Sequence, residues 1–410
     1  MTSVSVDGTG ALVVDGQKVF PIGFSNPPPV GGKTPDGKDA WQELKAGGAS
    51  FVRTGRADWN AQQIDAQIAT EKQLEDAAAA HGLHCWLWLG ALPNLPTTAG
   101  SPKEQLLEQV VGAFKGHPGL GAYKGIDEPQ HSNIGAAGLI RAHTRLRALD
   151  PDHPVVIIQA PVGTVAELTP YRRAFDITGA DIYPVAYPPG RQTGGPNKDI
   201  SVVGDVTKKM VAAAGRKPVW MTLQIAWSGT ATSKTRPNSV PRFPSLPEER
   251  FMAYQAIASG ARGLVFFGGH LTQITRPRDA KAGWNWTFWD LVLRPLLAEL
   301  TSTAVGPALV APNATATVTA SAQDVELVAR QDAQFLYVIA VRRGAATTRV
   351  TFSGLPGTIG DGQVLFEYTQ DPLPPPIGAG RQTFRTVGVA NGSFRDWFGP
   401  HDAHVYRFGL

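Results

Sequence analysis

The chain has 410 residues, 42% of them hydrophobic and only 18% charged, against roughly 25% charged in ordinary globular domains; this excludes general disorder and leaves one large barrel or two unequal domains. Lys and Arg number 38 against 34 Asp and Glu, a formal charge of +4, but the basic residues are scattered, so nucleic acid is not an expected partner. One cysteine, Cys85, cannot build a disulfide framework or a thiolate metal cluster, and no apolar run approaches the ~20 residues that span a bilayer. The chain therefore reads as soluble, with a secreted protein that has lost its leader preferred to a cytoplasmic one.

From the start to about residue 303, short runs rich in Val, Ile, Leu and Phe alternate with longer stretches of helical period. Eight strand candidates follow one another: VFPIGF from Val19, SFVRTG from Ser50, LHCWLWLG from Leu83, LGAYKGID from Leu120, PVVIIQA from Pro154, DITGADIY from Asp176, KPVWMTLQ from Lys217 and RGLVFFGG from Arg262. Helices are expected at Ala61 to Ala80, Pro102 to Lys115, Ala136 to Leu149, Val202 to Ala214 and Pro247 to Ser259. With no dinucleotide-type glycine fingerprint after the first strand, the pattern predicts a closed (β/α)8 barrel over residues 1–303. Beyond Thr301 the period falls to two: VELVAR, FLYVIAV, TRVTF, VLFEYT, QTFRTVGV and AHVYRF are separated by turn residues. Residues 304–410 are thus expected to form an antiparallel β-sandwich, interrupted by the loop DPLPPPIGAG from Asp371.

In such a barrel the chemistry sits where strands run out into the following loops. Asp127-Glu128-Pro129 ends the fourth candidate. A carboxylic acid there, flanked by a second carboxylate and shielded by barrel walls, has the surroundings that a general acid requires, although Asp, Glu and Pro also suit the first turn of a helix. Arg53 ends the second strand, Trp86 and Trp88 lie in the third, Asp181 and Tyr183 end the sixth, and Gln224 and Trp227 end the seventh. Rings beside hydrogen-bonding groups suit sugars, whose C–H faces stack on aromatics while their hydroxyls need partners. One of Trp86 and Trp88 is expected to point out of the barrel and serve packing.

These residues resemble the retaining glycoside hydrolases of the large barrel clan that includes cellulases, mannanases and β-galactosidases, over about three quarters of the chain. In that clan the second strand ends in Arg, matched by Arg53; the fourth ends in Asn-Glu-Pro, matched with one change by Asp127-Glu128-Pro129; the sixth offers a Tyr, matched by Tyr183. The segment PSLPEERFMAYQAIASGARGLVFFGG is similar to their seventh helix and eighth strand, and GSFRDWFGPHDAHVYRF to the end of the sandwich that often follows. The resemblance implies an O-glycosyl hydrolase with Glu128 as acid/base, a carbohydrate substrate and no cofactor. It departs in two places. The nucleophilic Glu of strand seven is replaced by Gln224, an amide that cannot ionise, and the Asn before the acid is Asp127.

Three routes remain open. The Asp127-Glu128 pair also resembles that of substrate-assisted N-acetylhexosaminidases, in which the adjacent Asp orients a 2-acetamido group that itself attacks the anomeric carbon. An inverting hydrolase would use Glu128 as acid and Asp181 or Asp58 to activate water across roughly 6.5–9.5 Å. A barrel that has lost turnover would only bind glycans. The loop HLTQITRPRDAKAGWNWTFWD from His270 adds Trp284 and Trp286 beside Arg276, Arg278 and Lys281 as an expected stacking platform, with Phe288 and Trp289 assigned to packing. Nine His stand singly without ligand spacing, so no metal is expected, Cys85 reads as a small core residue, and Ser228 lacks an esterase elbow.

Overall fold

The computed structural model describes residues 2–186, 195–225, 242–268, 276–368 and 382–410. Three short antiparallel strands, β1 (Val4–Val6), β2 (Leu12–Val14) and β3 (Gln17–Val19), precede the barrel. Its strands are β4 (Ile22–Phe24), β5 (Phe51–Gly55), β6 (His84–Trp88), β7 (Leu120–Lys124), β8 (Val155–Gln159), β9 (Ile177–Ala180), β10 (Trp220–Gln224) and β11 (Gly263–Phe267). All eight fall on the expected segments, pair in parallel, and return from β11 to β4. The difference lies at the first: Val19 closes the small sheet and the barrel strand begins only after Pro21, which has no N–H to give a ladder.

Closure between β9 and β10 rests on two isolated parallel bridges, Thr178 to Val219 and Asp181 to Thr222. Gly179 permits that approach, since a Cβ there would lie 1.6 Å from the Trp220 carbonyl oxygen. The interior is filled by Phe51, Trp86, Ile158 and Trp220, and Val4, Leu12 and Val14 of the small sheet join this cluster from below. The barrel is therefore plugged at its N-terminal end, and the opposite end carries the cleft.

The covering helices are α1 (Ala40–Ala46), α2 (Ile64–Ala80), α3 (Pro102–Phe114), α4 (Ala136–Leu149), α5 (Val165–Leu168), α6 (Val202–Ala214), α7 (Leu246–Ala258), α8 (Pro277–Ala282), α9 (Trp286–Phe288), α10 (Arg294–Leu300) and α11 (Gly306–Val310). Their starts are chemically marked: Asp39 accepts from the Trp41 and Gln42 amides, Ser101 caps α3 before Pro102, and Ser245 with Glu248 forms a capping box at α7.

The C-terminal strands make two antiparallel sheets. One orders β12 (Thr319–Ala320), β15 (Thr348–Ser353) and β18 (Ser393–Phe398); the other orders β13 (Val325–Gln331), β14 (Phe335–Arg342), β19 (Ala403–Gly409), β16 (Gly362–Tyr368) and β17 (Gln382–Val387). This is the expected sandwich, and it packs on α7, which is buried along nearly its whole circumference for that reason. Phe251, Tyr254 and Ile257 of α7 share one core with Tyr337, Ile339, Val341 and Val405. Polar clamps rim the seam: Arg343 meets Asp205 at 2.6 Å, Lys208 meets Glu326 at 2.7 Å, and Arg250 meets both Glu299 at 2.8 Å and the Ala403 carbonyl at 2.9 Å.

Candidate active site

A cleft of about 200 Å³ opens at the C-terminal ends of the barrel strands, lined by Ser25, Arg53, Trp86, Lys124, Asp127, Glu128, Ile158, Asp181, Tyr183, Thr222 and Phe267. The pleat explains the selection. Residues two apart share a face, so in β7 the inward Ala122 is followed by Lys124, and in β10 the inward Trp220 is followed by Thr222. The same rule corrects the expectation for the tryptophans of β6. Trp86 and Trp88 are two apart and both face inward: Trp86 fills the barrel against Trp220 with ring centroids 6.4 Å apart, while Trp88 lies at the mouth.

Trp88 carries two cations. The Arg53 guanidinium and the Lys124 ammonium each sit 4.9 Å from a ring centroid of its indole. Gly55 makes room for this arrangement, because with φ +77° its Cβ would lie 2.4 Å from the Trp88 backbone. Lys124 is buried and reaches Asp127 at 2.5 Å. Burial, and then the charge of Arg53, lower its pKa, and Asp127 opposes that shift. Lys124 was not singled out in the sequence, although a charged residue in phase with the barrel interior is a readable signal.

Glu128 adopts φ +45°, a left-handed conformation rare for a residue with a side chain. Its N–H donates to the Ile158 carbonyl at 2.9 Å, which ties the strained turn to β8. Its carboxyl is a neighbour of Asp181. Burial first, and then the charge of Glu128, push the Asp181 carboxyl well above the ordinary range. The Tyr183 hydroxyl, also buried, is pushed up by burial and by Asp181 beside it, and its ring stacks on Phe267 at 5.5 Å. Among the described residues, Asp181 Oδ1 has no hydrogen-bond partner.

Other sequence candidates stand elsewhere. Gln224 is fully buried and bonded twice to one backbone unit: Val185 N–H donates to its Oε1 at 2.9 Å, and its Nε2 donates to the Val185 carbonyl at 2.6 Å. An amide so engaged ties the ends of β9 and β10 and holds no substrate hydroxyl. Asp58 is exposed, pairs with Arg56 at 2.8 Å and does not line the cleft. The expected platform of Trp284 and Trp286 is also corrected, since both are 1% exposed. Trp284 packs on Phe24 and Trp289 and donates from Nε1 to the Asn26 carbonyl at 2.8 Å. Their size drives them inside, as it does Phe288 and Trp289. Trp227 lies outside the described residues.

No protein-family model matches the chain, and no curated protein matches it. Solved structures do. A glycoside hydrolase aligns with a TM-score of 0.64 at 12% identity, over 99% of this chain and 96% of its own. A family 5 glycoside hydrolase from Bacteroides vulgatus aligns with a TM-score of 0.61 at 15% identity, over 99% and 92%. A family 30 endoxylanase from Clostridium papyrosolvens aligns with a TM-score of 0.52 at 12% identity over the whole of both chains. At these identities the likeness is one of fold, and it extends over barrel and sandwich together.

Proposed function

We propose that the chain is a glycoside hydrolase that cleaves an O-glycosidic bond with Glu128 as general acid. The observation that carries this reading is the strained Glu128 turn, which presents one carboxyl to a second, proton-retaining carboxyl, Asp181, in a cleft walled by aromatic rings. Glu128 gives its proton to the glycosidic oxygen as the bond to the anomeric carbon breaks, and positive charge develops on that carbon.

The electrons that meet this charge must come from somewhere. Gln224 is tied to Val185, Asp127 is tied to Lys124, and Asp181 lies against Glu128. Burial and the neighbouring charge of Glu128 hold Asp181 toward its protonated form, which suits it poorly to be the second, ionised carboxylate that retaining and inverting pairs require. The arrangement favours the substrate-assisted route, in which the carbonyl oxygen of a 2-acetamido group attacks the anomeric carbon. Asp181 Oδ1, buried and without a partner among the described residues, is the acceptor for the acetamido N–H. Water then opens the cyclic intermediate, with Glu128 taking back a proton.

The test compares aryl N-acetylhexosaminides with the matching plain hexosides, using the wild type and Glu128→Gln. Hydrolysis confined to the acetamido substrates, and lowered about 10²–10⁴-fold in the variant, is expected. Equal rates on both substrate types overturn the substrate-assisted route. Absence of turnover on a broad panel overturns the hydrolase reading.

A further inference from the structure

We infer that the cleft selects a glycan bearing a carboxylate, and that Arg53 is the residue that holds it. The inference deepens the carbohydrate reading of the same site and rests on it. Its basis is an imbalance among the charged groups. Lys124 and Asp127 satisfy each other at 2.5 Å. Arg53 lines the cleft and stacks on Trp88, yet among the described residues it forms no hydrogen bond or ion pair. Its guanidinium carries five N–H donors in a planar fork, and burial lowers its pKa with only the more distant charges of Asp127, Tyr183 and Glu71 opposing.

The state that performs the chemistry sharpens the imbalance. With Glu128 protonated to act as acid, and Asp181 holding its proton by burial, two cations in the cleft face one carboxylate. One positive charge is left over, and it is the one with the free fork. A hydroxyl accepts one hydrogen bond from such a group; a carboxylate accepts two in plane and neutralises it. Trp88 underneath holds the guanidinium plane in position for such a partner. A carboxylate of this kind comes from a hexuronate neighbouring the acetamido sugar, or from a lactyl ether on the acetamido sugar itself.

Binding is measured by calorimetry in the Glu128→Gln background, where turnover cannot consume the ligand. The ligands are chitotetraose, which has acetamido groups and no carboxylate, a hyaluronan tetrasaccharide, which alternates acetamido sugar and hexuronate, and an N-acetylmuramyl disaccharide for the lactyl source. One of the two acidic ligands should bind about 30-fold more tightly than its neutral counterpart, chitotetraose or chitobiose, equivalent to about 2 kcal/mol. Whichever is preferred names the source. Arg53→Met should erase the preference, and Arg53→Lys should keep part of it, because the charge stays while the fork is lost. Circular dichroism confirms that both variants are folded, and Lys, which retains the aliphatic stem, is read if Met is not. Equal affinity for acidic and neutral ligands, or a preference that survives Arg53→Met, overturns the inference. An Arg53-dependent preference in a protein that hydrolyses nothing leaves the inference standing and removes the hydrolase reading; acetamido-specific hydrolysis without acidic preference does the reverse.

Discussion

Glu75→Gln should make the protein more stable, by an amount that depends on pH. Glu75 lies on α2, fully buried against the outer side of β5. Thr54 Oγ1 donates to its Oε1 at 3.1 Å. Its Oε2 lies 3.3 Å from His117 Nδ1, but that nitrogen already accepts from the Gly119 N–H at 3.0 Å. Among the described residues no donor therefore reaches Oε2, which is where a proton belongs. Burial, aided by the charges of Glu71 and Asp76, raises the Glu75 pKa from 4.5 to about 8. Folding favours the neutral acid, so its contribution is complete below pH 4.5 and is lost as pH rises toward 8. At 1.36 kcal/mol per pH unit, the loss reaches about 3 kcal/mol at pH 7 and levels off near ~5 kcal/mol above pH 8. Gln is isosteric, accepts from Thr54 in the same way and does not titrate. Urea unfolding at pH 4.5, 6, 7 and 8 should show wild type and variant nearly equal at the lowest pH and diverging in favour of Gln as pH rises. Parallel stabilities across that range would refute the buried neutral acid.

Three further outcomes are expected. Trp284→Ala should cost about 3–5 kcal/mol of stability, the usual loss for a buried aromatic, with any kinetic defect scaling with unfolded protein; a raised Michaelis constant at unchanged melting temperature would restore the platform. Gln224→Glu should create no retaining activity and should lower stability increasingly as pH rises, because only the protonated acid can donate to the Val185 carbonyl, 2.6 Å from the present amide nitrogen, whereas the carboxylate sets acceptor against acceptor in a buried site. A gain in turnover would show that residue 224 can reach the anomeric carbon. Asp181→Asn should alter the pH profile of kcat/KM, since it removes a buried carboxyl whose proton is held by burial and by the neighbouring Glu128; a profile identical to wild type would detach Asp181 from the acid.

The barrel was legible because its strands are buried on both faces and read as continuous apolar runs, so all eight segments stand out from the helices between them. The sandwich was legible from its change of period. Less visible were the strands before the barrel, which are three residues each and too short for any period to show. At the site, strand-end position alone found Arg53, Glu128, Asp181 and Tyr183, all of which line the cleft. Position could not say which way Gln224 bonds, since its partner is a backbone unit 39 residues away. The tryptophans after strand eight misled for a related reason: crowding of Trp284, Trp286 and Trp289 marks a ring cluster, with centroids 4.9–6.4 Å apart, as readily as it marks a platform. Lys124 is legible only from the phase of β7, where it follows the inward Ala122 by two residues.

Gln224 at the end of strand seven and the position of Asp181 belong to one device. The seam between β9 and β10 is the least regular in the barrel, held by two bridges and a glycine where every other neighbouring pair has a ladder. Asp181 sits in one of those bridges, opposite Thr222, and the Ile182 N–H donates to the Thr222 carbonyl at 3.0 Å. Gln224, two residues beyond Thr222, then clips Val185 through both ends of its amide. The clip prolongs the seam past Asp181, so that this residue is fixed from both sides and cannot withdraw from Glu128 despite the cost of bringing two carboxyls together. An ionised glutamate at 224 could not make the clip, because it has no proton to donate to the Val185 carbonyl, and a protonated one, which could, is no nucleophile. On the proposed reading, the chain that gives up a strand-seven nucleophile is thereby able to hold a carboxyl beside its acid, which is the geometry a substrate that carries its own nucleophile requires.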